Sequence, residues 1–289
     1  MKIRALLAVA ALALLAPLLA QAQGQAQAPA AADRWTFSVA PYLWLPSLEG
    51  TFNYGPPPPN GGTANVNVSE SSILDALDFA FMINGEARKD RWLIATDFIY
   101  LDLSSVGSDV KSVDLNPGSG PINISTSTLN SGTQSSLKGT LWTLVGGYAA
   151  IQEPRGNLDL IGGFRYLGLD AKTDWQLTAT VTGTGPAGNT VTFGRTGSVE
   201  KSASIWTAIV GAKGRVKLGE SDWFVNYYAD VGGGSDAFTW QGAGGIGWSY
   251  AKWGELLLDY RYLYYSQSGD KLIDSLTLKG FQLGFNFRF

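Results

Sequence analysis

The sequence predicts an all-β chain: an antiparallel up-and-down transmembrane β-barrel of about ten strands, with eight or twelve as neighbouring counts. Three observations lead there. Apolar and polar residues alternate with the period of a strand from Trp35 to the C-terminus. The connections between alternating segments switch regularly between short and long. The last segment, KGFQLGFNFRF, sets Phe281, Leu283, Phe285, Phe287 and Phe289 on every second residue, with Gly280, Gln282, Gly284, Asn286 and Arg288 between them.

The chain begins with Lys2 and Arg4, then the apolar run ALLAVAALALLAPLLA and the small-residue site around Ala20 and Ala22. A basic start, an apolar stretch and an A-x-A site make a secretory signal peptide over residues 1–22, cleaved after Ala22. The run is too short to span a bilayer as an anchor and contains Pro17. Residues 23–32, QGQAQAPAAA, form a low-complexity tether, and residues 33–289 form the barrel.

Strand-like segments then fall near 35–45, 77–88, 91–103, 136–149, 157–169, 203–217, 223–233, 238–250, 254–265 and 277–289. Phe79, Phe81 and Ile83 oppose Asn84, Glu86 and Arg88, and Leu158, Leu160, Phe164 and Tyr166 oppose Asp159 and Arg165. Leu256, Leu258, Tyr260, Tyr262 and Tyr264 oppose Asp259 and Arg261. Two segments are less regular: Trp142 and Leu144 share a parity with Lys138, and Asp97 sits among Leu93, Ile99 and Leu101.

Tight connections (RKDR, IQEPRGN, LGESD, AKWGE) alternate with longer ones after 45, 103 and 169, the pattern of short periplasmic turns and long extracellular loops. Strand-like alternation continues through Trp175, Leu177, Ala179 and Val181, which predicts a hairpin protruding beyond the membrane. ESSILDAL at 70–77 has helical spacing, with Ser71 or Ser72 as N-cap, and is expected at the barrel mouth or inside the lumen. Trp35, Trp44, Trp92, Tyr100, Trp206, Trp223, Trp240, Trp248 and Trp253 cluster near strand ends, as interfacial girdles require. A soluble barrel or sandwich would hide such rings.

The stretches APYLWLPSLEG (40–50), ILDALDFAFMINGEARKDRW (73–92), DVGGGSDAFTWQ (230–241) and DYRYLYY (259–265) resemble uncharacterised, porin-like outer-membrane β-barrel proteins of proteobacteria. The resemblance covers nearly the whole mature chain. It implies a barrel and a membrane, and no assigned activity.

Composition excludes much chemistry. The chain has no cysteine and no histidine, so it offers neither disulfides nor thiolate, imidazole or transition-metal nitrogen and sulfur ligands. Outer-membrane hydrolases place a histidine base in the active site, and no base–nucleophile set is recognisable here, so no enzyme is expected. Twenty-one basic against twenty-four acidic residues, a net charge of −3, give no case for nucleic acid. GAGGIG at 242–247 and GTGPAG at 183–188 match a dinucleotide pattern without the required following helix. No cofactor is expected. Hard cations could meet Asp109, Asp114, Asp236, Asp270 or Asp274 in the loops, without a spaced calcium motif.

The lumen parity carries Glu86, Arg88, Asp97, Arg165, Lys213, Arg215, Asp230, Asp259, Arg261 and Arg288. In so small a barrel these are expected to pair and fill the bore, with Glu86, Asp230 and Asp259 meeting Arg88, Arg165, Lys213 and Arg261. The expected function is a narrow pore or small-solute conduit. The alternative is a structural or adhesive surface protein whose loops bind a partner or lipopolysaccharide. Outer-membrane lipid and the barrel-assembly machinery, reading the strand Phe281–Phe289, are the expected partners. The expected location is the outer membrane of a Gram-negative bacterium.

Overall fold

Period-two alternation buries one face of each strand, and a set of such strands must curl until the two end strands meet. In the structure, a computed structural model, residues 34–53, 63–110, 134–182, 190–234, 236–269 and 271–289 are described. The expected cleavage site at Ala22, the tether, GTGPAG and the loop aspartates Asp114 and Asp270 lie outside them. The elements are β1 (Thr36–Asn53), β2 (Thr63–Val68), α1 (Glu70–Ala76), β3 (Leu77–Lys89), β4 (Trp92–Val110) and β5 (Gln134–Glu153). There follow β6 (Gly156–Thr182), β7 (Thr190–Lys217), β8 (Trp223–Gly234), β9 (Ala237–Ala251), β10 (Gly254–Gln267) and β11 (Ile273–Arg288).

Every strand from β3 to β11 pairs antiparallel with the next, and β11 returns to β1 from Ser38↔Arg288 to Phe52↔Ile273. Phe37 and Phe289 exchange both backbone hydrogen bonds, at 3.1 and 2.9 Å, and finish the seam. Of eleven strands in the sheet, β2 is a six-residue insertion, which leaves ten closing the wall. Turns at the end carrying Thr36 and Phe289 are short: β3 passes to β4 through Asp90 and Arg91, with Asp90 at φ 53. Aspartate tolerates that left-handed backbone better than most residues.

Near the short turns β1 pairs with β3, from Thr36↔Arg88 to Pro41↔Ile83. Towards the long loops it pairs with β2 instead, from Leu48↔Val68 to Asn53↔Thr63. The chain leaves the wall after β2, forms α1, and rejoins it as β3. Ser69, not Ser71 or Ser72, caps the helix by accepting from the Ser72 amide at 3.4 Å. Ile73 and Ala76 of α1 are buried inside the barrel.

The outer wall is apolar. Phe79, Phe81, Ile94, Leu160, Val210, Leu258, Phe281, Leu283 and Phe285 are all exposed. At the short-turn end Trp92 meets Tyr148 edge-on at 5.1 Å and Trp223 stacks on Trp248 at 6.0 Å. At the other end Trp240 stacks on Tyr262 at 4.7 Å and Trp206 lies 4.8 Å from Tyr166. Beyond this second rim the outer face turns ionic, with Lys138–Asp102 and Lys279–Glu49 pairs at 2.8 Å. An apolar belt between two aromatic rims is the exterior of a transmembrane barrel. Trp44 departs from the girdle expected of it: its ring is inside the bore, 1 % exposed, with Nε1 donating to the Gly280 carbonyl at 3.2 Å.

Neighbouring residues of β10 test the orientation, since Leu258 is 44 % exposed midway along the belt and Asp259 is 4 % exposed. Leu258→Arg is expected to destabilise the inserted barrel by about 2–4 kcal/mol in vesicle unfolding titrations. Asp259→Asn leaves insertion intact. Equal tolerance at both positions would contradict the orientation.

Candidate functional site: the barrel lumen

The bore has two layers. Towards the short turns charged and amide-bearing inward residues line a cavity of about 780 Å³ bordered by the turn at Pro154 and Arg155 and by Phe289, beside a small buried apolar cluster of Leu93, Ala95, Val145, Ile161 and Ile209. Towards the long loops the inward residues are apolar. Trp44, Leu48, Phe52, Ile99, Leu103, Leu141, Leu167, Leu263, Tyr265, Ile273 and Leu276 pack with Ile73 and Ala76 of α1 into one buried cluster.

Ion pairs span the cavity. Arg88 on β3 forks onto Asp159 on β6, Nη1–Oδ1 at 3.1 Å and Nη2–Oδ2 at 2.5 Å, and also reaches Glu86 at 3.1 Å. Lys213 on β7 donates to Glu86 on β3 at 2.7 Å. Arg261 on β10 meets Asp97 on β4 at 2.8 Å and donates to Gln241 at 2.8 Å, with its guanidinium 4.8 Å over the Trp44 ring. Tyr42 on β1 donates to the same Asp97 at 2.6 Å. Glu255 accepts from Arg215 at 3.0 Å and pairs with Arg288.

The most enclosed pair is Arg165 with Asp230, both side chains 0 % exposed. Arg165 Nη1 donates to Asp230 Oδ1 at 3.0 Å and Nη2 bonds Oδ2, while Nε donates to Thr143 at 3.2 Å. Arginine reaches here from β6 over β7 to β8, and a planar fork suits such a bidentate, desolvated contact.

All ten lumen residues read from the sequence lie on the inner face, but their pairing differs in one place. Among the described residues Asp259 meets no cation within ion-pair distance; Asn226 and Gln282 donate to it at 2.7 and 3.0 Å. Arg261, its expected partner, turns to Asp97 because Asp97 lies across the bore at the same depth as Tyr42 and Gln241. Sequence reasoning leaves Asp159 and Glu255 out of the network, although Asp159 stands on the lumen parity of its strand. With them, six carboxylates face six cationic side chains. A neutral total is what a bore walled by hydrocarbon requires.

The charges do not fill the bore. They brace its walls around a cavity, with the apolar cluster beyond it. Asn226, Tyr228, Arg261 and Gln282 border this cavity, and each keeps one buried polar atom without a protein partner, as in hydrated rather than dry cavities. Asp230 and Asp259 are engaged by different groups, Arg165 and Asn226. Among the described residues no three of His, Cys, Asp or Glu stand close enough to hold a metal ion. The GAGGIG stretch lies within β9, where a Cβ on Gly245 would strike the Leu258 carbonyl and one on Gly247 the Phe224 ring. Phe281, Leu283, Phe285 and Phe289 point outward, with Phe287 partly covered.

No family model and no curated protein matches the chain. Solved structures similar to it are outer-membrane barrels. The outer-membrane protease OmpT of Escherichia coli has 10 % identity over 91 % of this chain and 99 % of its own, with a TM-score of 0.42. The attachment invasion locus protein Ail of Yersinia pestis has 10 % identity over 88 % of this chain and 98 % of its own, at 0.31. The toluene transporter TodX of P. putida has 11 % identity over 90 % of each chain, at 0.25. No residue role is carried over from them.

Truncating Arg165 to alanine leaves Asp230 charged, buried and unpaired, and is expected to lower stability by about 3–5 kcal/mol in urea titrations of the refolded barrel. The double change Arg165→Met, Asp230→Leu should recover most of that loss. A mild effect of the single substitution would mean the pair is hydrated.

Proposed function

We propose that the protein is an exported barrel of the Gram-negative outer membrane with a closed bore, acting as a structural or adhesive surface protein. The apolar cluster carries this reading. Trp44, Phe52, Leu263 and Ile273, from the adjacent strands β1, β10 and β11, and Ile73 of α1 are each no more than 1 % exposed and pack in one buried cluster with Leu103, Leu141 and Leu167 of β4, β5 and β6. Ions cross such a constriction only if it is displaced. We therefore favour the alternative over the narrow conduit expected from the sequence.

Beyond the last pairing of β5 with β6, at Gln134↔Asp174, β6 and β7 continue as a two-stranded ladder from Trp175↔Gly197 to Thr182↔Thr190. At strand spacing this makes the two-stranded part about 25 Å long. In its register Trp175, Leu177, Ala179 and Val181 alternate with Gln176, Thr178, Thr180 and Thr182. A ladder of that length suits contact with lipopolysaccharide or a partner at the cell surface. With neither histidine nor cysteine in the chain, we assign it no catalysis.

Single-channel recording in planar bilayers tests the closed bore. Wild-type protein is expected to show no steady conductance, while Ile73→Asp, which puts a carboxylate among the sealing residues, should produce flickering openings. A large steady wild-type conductance would restore the conduit reading. Shortening the hairpin between 172 and 201 should abolish surface binding without loss of the folded barrel.

A further inference from the structure

The outer wall has a recess of about 540 Å³ near the short-turn end, spanning β4, β5 and β6. Its floor is bare backbone. Ile94, Gly146, Gly162 and Val210 follow one another across four strands in a single outward row. Ile94 and Val210 stand out fully, and the two glycines between them leave a gap two strands wide. Trp92, Tyr148 and Leu160 form the next row towards the turns and make its lower rim.

The barrel does not need these two glycines. A Cβ on Gly146 would meet nothing within 4 Å, and one on Gly162 would make only ordinary contacts at 3.8 and 4.0 Å. The inward neighbour Gly147 is different, because its Cβ would press on Ile161, Leu93 and a carbonyl at 2.9–3.0 Å. Glycine in a strand loses more entropy on folding than any other residue and packs nothing. Two of them side by side, facing hydrocarbon and unforced by packing, mark a place where something else fills the space.

Cationic charge stands beside the gap. Arg91, in the short β3–β4 turn, is exposed and lies 6.0 Å from the centre of the Tyr148 ring on the rim. It makes no ion pair among the described residues. A slot lined by backbone and branched aliphatics, an aromatic rim and a guanidinium at the interface match one acyl chain and the phosphate of a glycerophospholipid. We infer that the recess over Gly146 and Gly162 holds a single phospholipid of the periplasmic leaflet, its acyl chain in the slot and its phosphate at Arg91. The site rests on the outer-membrane reading given above, which sets the short turns in the periplasm.

The experiment weighs the intact barrel, extracted from outer membranes in mild detergent, by native mass spectrometry, and then titrates the delipidated protein with phosphatidylglycerol. Wild-type protein should keep one phospholipid through detergent exchange and regain it on titration. Gly146→Leu and Gly162→Leu, which fill the slot from outside, should each lose that lipid-bound peak. Both should keep the difference in gel migration between unheated and boiled samples that marks a closed barrel. Arg91→Ala should release the lipid earlier in the exchange. Equal lipid retention by Gly146→Leu, or a folded wild type that carries none, overturns the site. A wild-type dimer that Gly146→Leu separates overturns it in favour of a second copy of the chain. Recovery of the wild type as a soluble protein without the gel difference would instead reject the membrane reading beneath it.

Discussion

A strand in hydrocarbon has no water to satisfy its N–H and C=O groups, and each unpaired group there is expensive. The β1–β11 seam answers that constraint, running from the Phe37–Phe289 exchange to Phe52↔Ile273. Closure decides the rest. It gives every strand one face towards lipid and one towards an enclosed bore, so each residue's parity becomes its solvent. Phe281 and Leu283 find lipid while Gln282, between them, finds Asp259.

Enclosure then makes the bore a place where charge must balance. Arg88 with Asp159, Lys213 with Glu86 and Arg261 with Asp97 each join strands that are not neighbours in the wall. They act as struts across the interior as well as neutralising it. The outer layer solves a different problem. β1 exchanges β3 for β2 part-way along, and α1 turns inward at that break to put Ile73 and Ala76 in the buried apolar cluster.

The wall was legible in the sequence because alternation is a local property. Strand positions followed from pairs such as Leu258 and Asp259, and the protruding hairpin from Trp175 to Val181. Trp44 was misplaced because Tyr42, Leu43, Trp44 and Leu45 are apolar on both parities, so alternation cannot say which ring faces inward. The apolar seal escaped for the same reason: an inward leucine and an outward leucine look alike. Glu255 was hidden at the edge of AKWGE, a stretch that reads as a turn. Which acid meets which base is a matter of bore geometry, and Arg261 choosing Asp97 over Asp259 leaves no trace in spacing.

The struts also bear on how the barrel is made. Arg261 and Asp97 come from β10 and β4, and Tyr42, which shares Asp97, comes from β1. Their partners are far apart along the chain and meet only when the last strands reach the first. Until then the same side chains must stay hydrated, because a charge stripped of water before its partner arrives is penalised by several kcal/mol. Desolvation of the bore and docking of β11 onto β1 are therefore one cooperative event. A half-formed sheet keeps its polar face wet, and the final strand acts as the latch that brings each buried charge to its partner.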